Sequence, residues 1–414
     1  MLLTAVKQLR RSDALTNIAS AVIRALGRGI WGLSIPVILS VSDYSKYSII
    51  TATAAILAQF AVLGIPQTIL RNPKRTLPIF GFTVHAVVLL VIGTILYIKL
   101  TEEHEARSTF IIVLMAVVIM AYIIASATAK SRFLFSVVLR AETIGSAFLL
   151  IVGLILLIYT RSPQCLSGCI QYNLILIIEV SATVLILALL FWGCKIISLT
   201  DMGLSGIKVY FPAIYSIGAL VILDLIIWRR VEIYFLQAGP DGVIGVAVFS
   251  LAAQISNLFM LIPGSAIEAW YPKLAGTFKQ DYSLYQKIII AKTLSYTKLY
   301  TLFIIICLIA SIILLQVAFS KYHEWQPYIV TFILLRLIFG YAGFYSSVLY
   351  ATRREKWLYI PVVAGACIAL ISNSALTLHY GLSGALISYL ITHSFVAIST
   401  LLIYRWTHNR LPLR

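Results

Sequence analysis

Long apolar runs with no charged side chain recur from one end of this chain to the other. Examples are "TLPIFGFTVHAVVLLVIGTILYI" at 76–98 and "STFIIVLMAVVIMAYIIASATA" at 108–129. A run of that length matches the hydrocarbon thickness of a bilayer when it is helical, at roughly 20 residues per crossing. Hydrophobic residues make up 61% of the 414 residues and charged residues only 11%, and the mean hydropathy is +0.97. A soluble domain carries about 25% charged residues, and a transmembrane barrel would show short alternating segments instead of continuous runs. The pattern predicts an all-α polytopic membrane protein with twelve spans, at about 18–41, 48–70, 77–100, 108–129, 141–159, 171–193, 211–236, 243–270, 299–319, 328–350, 358–378 and 384–404. The basic opening "MLLTAVKQLRRSDALTN" lacks a small-residue cleavage site, so the first span is expected to be retained.

The net charge of +17 follows this topology. With a cytoplasmic N-terminus, 22 of the 32 Lys and Arg fall in loops on that side, 5 fall in opposite loops and 5 lie within spans. That asymmetry is the positive-inside pattern and puts both termini in the cytoplasm. Much of the remaining basicity suits anionic membrane lipid. No loop is large enough for a soluble basic face, so nucleic acid is not an expected partner. The five cysteines, at 165, 169, 194, 307 and 367, have no metal-ligand spacing, and no metal or cofactor is expected. Cys165 and Cys169 fall at the outer face, where oxidation is chemically open to them.

Two half-chain similarities point to an internal repeat. "QCLSGCIQYNLILIIEV" opens span six and "HYGLSGALISYLITHSF" opens span twelve, about 216 residues later. "YSKYSIITATAAILAQFAVLGIPQTIL" in span two resembles "VIGVAVFSLAAQISNLFMLIPGSAIEA" in span eight. Halves in the same orientation imply a pseudo-two-fold axis along the membrane normal. The expected organisation is an N-terminal lobe at 1–193, a cytoplasmic linker at 194–210 and a C-terminal lobe at 211–414.

Three stretches in order resemble the multidrug/oligosaccharidyl-lipid/polysaccharide (MOP) exporters. They are "LGRGIWGLSIPVILSVSDYSKYSII" with "LGIPQTILR", then "QAGPDGVIGVAVFSLAAQISNLFMLIPGSAIEAWYPKLA", then "LYATRREKWLYIPVVAGACIALISNSALTLHYGLSGALISYLITHS". Within that superfamily, the length and twelve spans look most like Wzx-type flippases. The resemblance implies two six-helix lobes around a central cleft, with spans one and seven facing it. It also implies alternating-access transfer of an undecaprenyl-diphosphate-linked oligosaccharide, such as an O-antigen or exopolysaccharide repeat unit, to the outer leaflet. A polysaccharide polymerase and a chain-length regulator are then candidate protein partners. The alternatives are a drug/cation antiporter of the same superfamily and a membrane enzyme of polysaccharide assembly; short outer loops and lone histidines speak against the enzyme.

The intramembrane charges carry the site expectation. Each arginine at the bilayer centre costs about 2.5–3.5 kcal/mol, so it is expected to face protein, a passenger or water. Arg24 and Arg28 lie on one face of span one, flanked at Gly27 and Gly29 by small residues. In span seven, Arg229 and Glu232 are three apart and positioned to pair, while Arg230 points about 100° away. Counting only carboxylates at helical spacing leaves Arg28 and Arg230 without a counter-charge. The reading is that Arg28, Arg230, Arg24 and Arg229 bind the passenger's phosphates, whose oxygens match the guanidinium fork. The competing reading makes these arginines packing counter-ions of Glu179, Asp224, Glu232 and Glu268. Asp224 and Glu179 are also candidates for ion coupling. Arg336 is expected to pack, Glu268 to snorkel, and His85 and His393 to bond backbone. Tyr215 and Trp228 are placed to stack on sugar rings, with packing as the alternative.

Overall fold

A computed structural model describes residues 23, 27–71, 78–101, 106–131, 134–160, 170–194, 207–228, 231–280, 282–352 and 354–409. The described residues are helical throughout apart from short turns and contain no strand. The helices are α1 (27–38), α2 (Val41–Val62), α3 (Ile65–Arg71), α4 (Ile79–Thr101), α5 (Ala106–Ser131), α6 (Phe135–Thr160) and α7 (Tyr172–Cys194), then α8 (Phe211–Trp228), α9 (Val231–Ala238), α10 (Gly242–Gln280), α11 (Tyr282–Ala318), α12 (Gln326–Gly340), α13 (Ala342–Ala351), α14 (Tyr359–Ser372) and α15 (Leu378–Asn409). Nine stretches among the described residues are long and apolar enough to cross a membrane, and the last, Lys356–Thr407, runs through two of the expected spans. The described residues of span seven are helical over Phe211–Trp228 (α8) and Val231–Ala238 (α9), and the 271–298 segment expected as an amphipathic lead-in is taken up by the ends of α10 and α11.

Packing divides the chain into two compact units, Met1–Leu225 and Ile226–Arg414. The division therefore falls within span seven; most of the 194–210 segment, expected as the joint, lies outside the described residues.

In the first unit, large apolar side chains point outward and small ones inward. Val91 on α4 and Ile155 on α6 are more than half exposed, whereas Ala54, Ala58 and Ala61 on α2 are fully buried. This is the distribution that lipid favours, because burying a large side chain gains little against acyl chains while small residues let helices approach closely. α2 packs on α4 and α5, α5 on α7, and α6 on α7. Ser40 caps α2: its hydroxyl accepts from the Asp43 backbone N–H at 3.1 Å and donates to the Asp43 carboxylate at 2.8 Å.

Span two breaks at Leu63, whose φ of 41° is rare for a residue with a side chain. The break lets Gly64 touch α8. A Cβ on Gly64 would lie 2.5 Å from the Ile214 carbonyl oxygen, and one on Gly218 would lie 2.8 Å from the Leu63 Cβ. The first half of span seven is thereby held in the first unit by close backbone contact.

In the second unit, the C-terminal end of span seven and the turn before α10 lock onto spans eleven and twelve. α14 ends in a widened turn at Asn373–Thr377, where Thr377 Oγ1 donates to Asn373 Oδ1 at 2.7 Å and Asn373 Nδ2 donates to the Ala369 carbonyl at 2.8 Å. Such π-type turns relieve one backbone pairing, and here a buried Asn side chain satisfies the carbonyl. α15 is interrupted at Gly381, with φ 56°. Asp241, in the α9–α10 turn, then accepts the Leu382 N–H at 2.6 Å and caps the helix that follows. A core of aromatic rings, including Tyr285, Tyr296, Tyr300, Phe344 and Tyr345, fills the space around α11 and α13.

Removing the Asp241 cap by Asp241→Ala is expected to cost about 1–2 kcal/mol. Gly381→Ala is expected to cost more, because it adds backbone strain and drives a methyl into the Asp241 carboxylate. Thermal unfolding of detergent-solubilised variants checks the ranking: the Gly381 variant melts lowest and the wild type highest.

Candidate functional site

The first unit contains one buried carboxylate, Glu142, and one half-buried carboxylate, Glu179, both reached by α1. α1 and α6 cross at Gly27, where Ser146 occupies the volume that a Cβ would need. That contact brings the next residue, Arg28, against Glu142 one turn before Ser146. Arg28 Nε lies 3.9 Å from Glu142 Oε2, with the Arg28 side chain 32% exposed and that of Glu142 1% exposed. Tyr122 on α5 completes the group. Its hydroxyl donates to Glu142 Oε1, and its ring lies under the guanidinium at 5.0 Å. Arg28 Nη2, Glu142 Oε2 and Ser146 Oγ are buried and make no hydrogen bond to the described residues.

The second carboxylate, Glu179 on α7, is held by neutral donors. Its Oε1 accepts from Trp31 Nε1 at 2.9 Å and from the Tyr47 hydroxyl at 2.6 Å. Trp31 is three residues after Arg28, so the two side chains occupy neighbouring positions on α1. Its ring packs over Gly153 of α6, where a Cβ would lie 3.1 Å from Trp31 Cε3. One helix thus supplies a cation to Glu142 and an N–H to Glu179.

The expectation that Arg28 has no counter-charge is corrected by this geometry. Glu142 was missed because the hydropathy pattern starts span five at about residue 141, which puts the carboxyl at a membrane edge. α6 begins at Phe135, so Glu142 is two turns inside the helix. The signal available in sequence was the run "AETIGSAF", a carboxylate on a helix face of small residues, where another helix can approach closely. At about 4 Å, two unit charges attract by about 4 kcal/mol at an effective dielectric of ~20, and less where solvent screens the exposed part of Arg28.

Of the other expected site residues, Arg24, Arg229 and Arg230 lie outside the described residues, as do Cys165 and Cys169. Asp224 is exposed on α8. His85 packs against Phe211 and Tyr215, with ring centroids 5.3 and 5.6 Å away. Its Nε2 is buried without a hydrogen bond to the described residues, so this ring sits in an aromatic contact and its Nε2 does not meet backbone. Tyr215 is itself 47% exposed. The side chains of Trp228 and Glu268 are not described.

The second unit holds its own buried polar group. Glu232 is 2% exposed, and among the described residues the charge of Arg336 on α12 acts on it; Arg336 donates to Asn257 Oδ1 at 2.7 Å. Arg336 therefore serves as an internal partner, in keeping with its expected packing role. His393 is fully buried, and its Nδ1 is 2.9 Å from the Tyr389 carbonyl, the backbone bond expected for it. Among the described residues no cluster of three or more His, Cys, Asp or Glu side chains is placed to hold a metal.

No protein-family model matches the sequence, and no curated protein matches it. Solved structures do. A point mutant of a MATE transporter aligns at TM-score 0.63 with 15% identity, covering 97% of this chain and 98% of that one. An outward-facing multidrug resistance MATE family transporter of the MOP superfamily aligns at 0.56 with 14% identity, covering 99% and 97%. A MOP superfamily transporter from Pyrococcus furiosus, described as having a binding pocket of reversed polarity that suggests a different function, aligns at 0.54 with 14% identity, covering 97% and 96%. The chain has the all-helical fold of the MATE transporters of the MOP superfamily over nearly its whole length.

Glu179→Leu is expected to leave the Trp31 N–H and the Tyr47 hydroxyl without their acceptor, at about 1–3 kcal/mol for each buried group. Glu179→Gln, which retains a carbonyl acceptor, is expected to lose much less. Denaturant unfolding in detergent, followed by tryptophan fluorescence, checks the difference.

Proposed function

We propose that this chain is a bacterial inner-membrane flippase, with both termini cytoplasmic. It moves an undecaprenyl-diphosphate-linked oligosaccharide, an O-antigen or exopolysaccharide repeat unit, to the outer leaflet by alternating access. The observation that carries the reading is Arg28. Its guanidinium lies beside Glu142 and over the Tyr122 ring, its Nη2 makes no hydrogen bond to the described residues, and the side chain as a whole is about a third exposed. A planar cation held by surrounding groups and still partly open suits a phosphate oxygen. Arg24, Arg229 and Arg230 are the further arginines proposed to meet the diphosphate. The lipid tail stays in the bilayer, no covalent step is required, and a polymerase and a chain-length regulator are proposed as partners in assembly.

A drug/cation antiporter is the second reading. It is favoured by Glu179, a carboxylate ringed by Trp31 and Tyr47, since aromatic rings and a carboxylate together suit an organic cation. The names of the structural neighbours fit it as well.

Delivery of lipid-linked sugar in a strain lacking its own flippase separates the two. Arg28→Ala and Arg230→Ala, at matched expression, are expected to reduce delivery at least tenfold, and full delivery by both variants contradicts the flippase reading. In a strain lacking drug efflux, the flippase reading expects no protection against ethidium. The antiporter reading expects protection that Glu179→Gln removes.

A further inference from the structure

The N-terminal part of α11 carries two opposite stripes. Tyr285, Ile289, Tyr296 and Tyr300 are buried in the aromatic core with Phe344, Tyr345 and Val348 of α13. Tyr285 also meets Phe278, near the end of α10, edge-on with ring centroids 5.2 Å apart. Lys287, Ile290, Leu294 and Lys298 follow one another at steps of three and four residues, about 180° around the helix from the buried stripe. All four are exposed, Ile290 by 68% and Leu294 by 59%. We propose that this second stripe is a docking face for anionic phospholipid of the cytoplasmic leaflet. The two aliphatic side chains enter the boundary between headgroups and acyl chains, and the lysines at either end hold lipid phosphates. The identity of the passenger does not enter the argument.

The stripe continues a surface that already meets acyl chains. Tyr296–Ala318 is long and apolar enough to cross a membrane, and Ile305, Ile309 and Ile312 extend the same stripe into it and are exposed. α11 is one helix from Tyr282 to Ala318. The side turned to acyl chains within the span is therefore turned to headgroups where the helix emerges.

The charge here has one sign. Residues 271–298 hold Lys273, Lys279, Lys287, Lys292 and Lys298 against one carboxylate, Asp281. Ammonium groups near a bilayer surface attract anionic headgroups, and their aliphatic stems cover apolar surface while the charge stays wet. Lysines rimming large aliphatic side chains are the composition of helices that bind a membrane interface. A second copy of the chain seated on the same face would set lysine against lysine. Lys287 and Lys298 are eleven residues apart, about 16 Å along the helix, so each ammonium takes its own phosphate and the aliphatic pair lies between them.

The test uses the full-length chain in nanodiscs of equal parts phosphatidylglycerol and phosphatidylcholine. The photo-crosslinker p-benzoylphenylalanine is placed at Ile290, and the adducts are identified by mass. A lysine near an anionic surface is worth about fivefold in affinity, so phosphatidylglycerol adducts are expected to exceed phosphatidylcholine adducts at least fivefold at low salt. The double variant Lys287→Gln, Lys298→Gln is expected to bring that ratio to about one. The double variant Lys287→Arg, Lys298→Arg is expected to retain it, and salt at about 0.5 M to lower it. The same crosslinker at Ile309, deep in the span, is expected to label both lipids alike. Equal labelling at Ile290 with both lysines present, a ratio unchanged by the glutamine variant, or crosslinked dimers in place of lipid adducts overturns the proposal. Each of these results leaves the flippase reading standing, because delivery of lipid-linked sugar is measured separately. The ratio with both lysines present decides the matter even if the glutamine variant does not fold.

Discussion

A carboxylate two turns inside a membrane helix has to be neutralised or hydrogen-bonded where it stands, and the first unit is arranged around two of them. Glu142 is met by a guanidinium from α1 and a phenol from α5. Glu179 is met by an indole N–H from α1 and a phenol from α2. With no bulk water to solvate these groups, each must find its partners on neighbouring helices. The pairs therefore fix the rotation of α1 against α2, α5, α6 and α7. Small residues supply the distance that this requires. Gly27 and Gly153 let α1 lie close enough to α6 for Arg28 and Trp31 to reach their partners, because a Cβ at either glycine would hold the helices apart.

Span seven shows the same economy in another form. Its first half is held in the first unit by the Gly64–Gly218 contact, which the break of span two at Leu63 allows. Its C-terminal part belongs to the second unit, where Ile227 packs beside Gly365 and Glu232 lies within the field of Arg336. A helix divided in this way carries charge on both sides of the division, Asp224 before it and Glu232 after it.

Much of this was legible in the sequence. Apolar run length gave the helical membrane class and nearly every span, since bilayer thickness sets a length that composition must meet. The resemblance to MOP exporters agreed with the fold of the structural neighbours. What could not be read was which charges meet. Intrahelical spacing pairs residues within a helix, but Arg28 and Glu142 are 114 positions apart, and only the Gly27–Ser146 crossing joins them. The same limit applied to Glu232, on which the charge of Arg336, 104 positions along the chain, acts. The histidines divided for a local reason. His393 has the carbonyl of Tyr389 one turn back, a contact any helical histidine can make, while the surroundings of His85 come from α8, far along the chain.

The account depends on Arg28 and Glu142 acting as one unit in the membrane interior. A double-mutant cycle measures this directly, with Arg28→Met, Glu142→Leu and the double variant unfolded by denaturant in mixed micelles. Loss of one partner strands a buried charge or an uncompensated cation, whereas loss of both leaves an apolar contact. The double variant is expected to be at least 1 kcal/mol more stable than the sum of the single losses allows. Strict additivity, with each single substitution costing the same whether or not the other is present, would contradict the pairing.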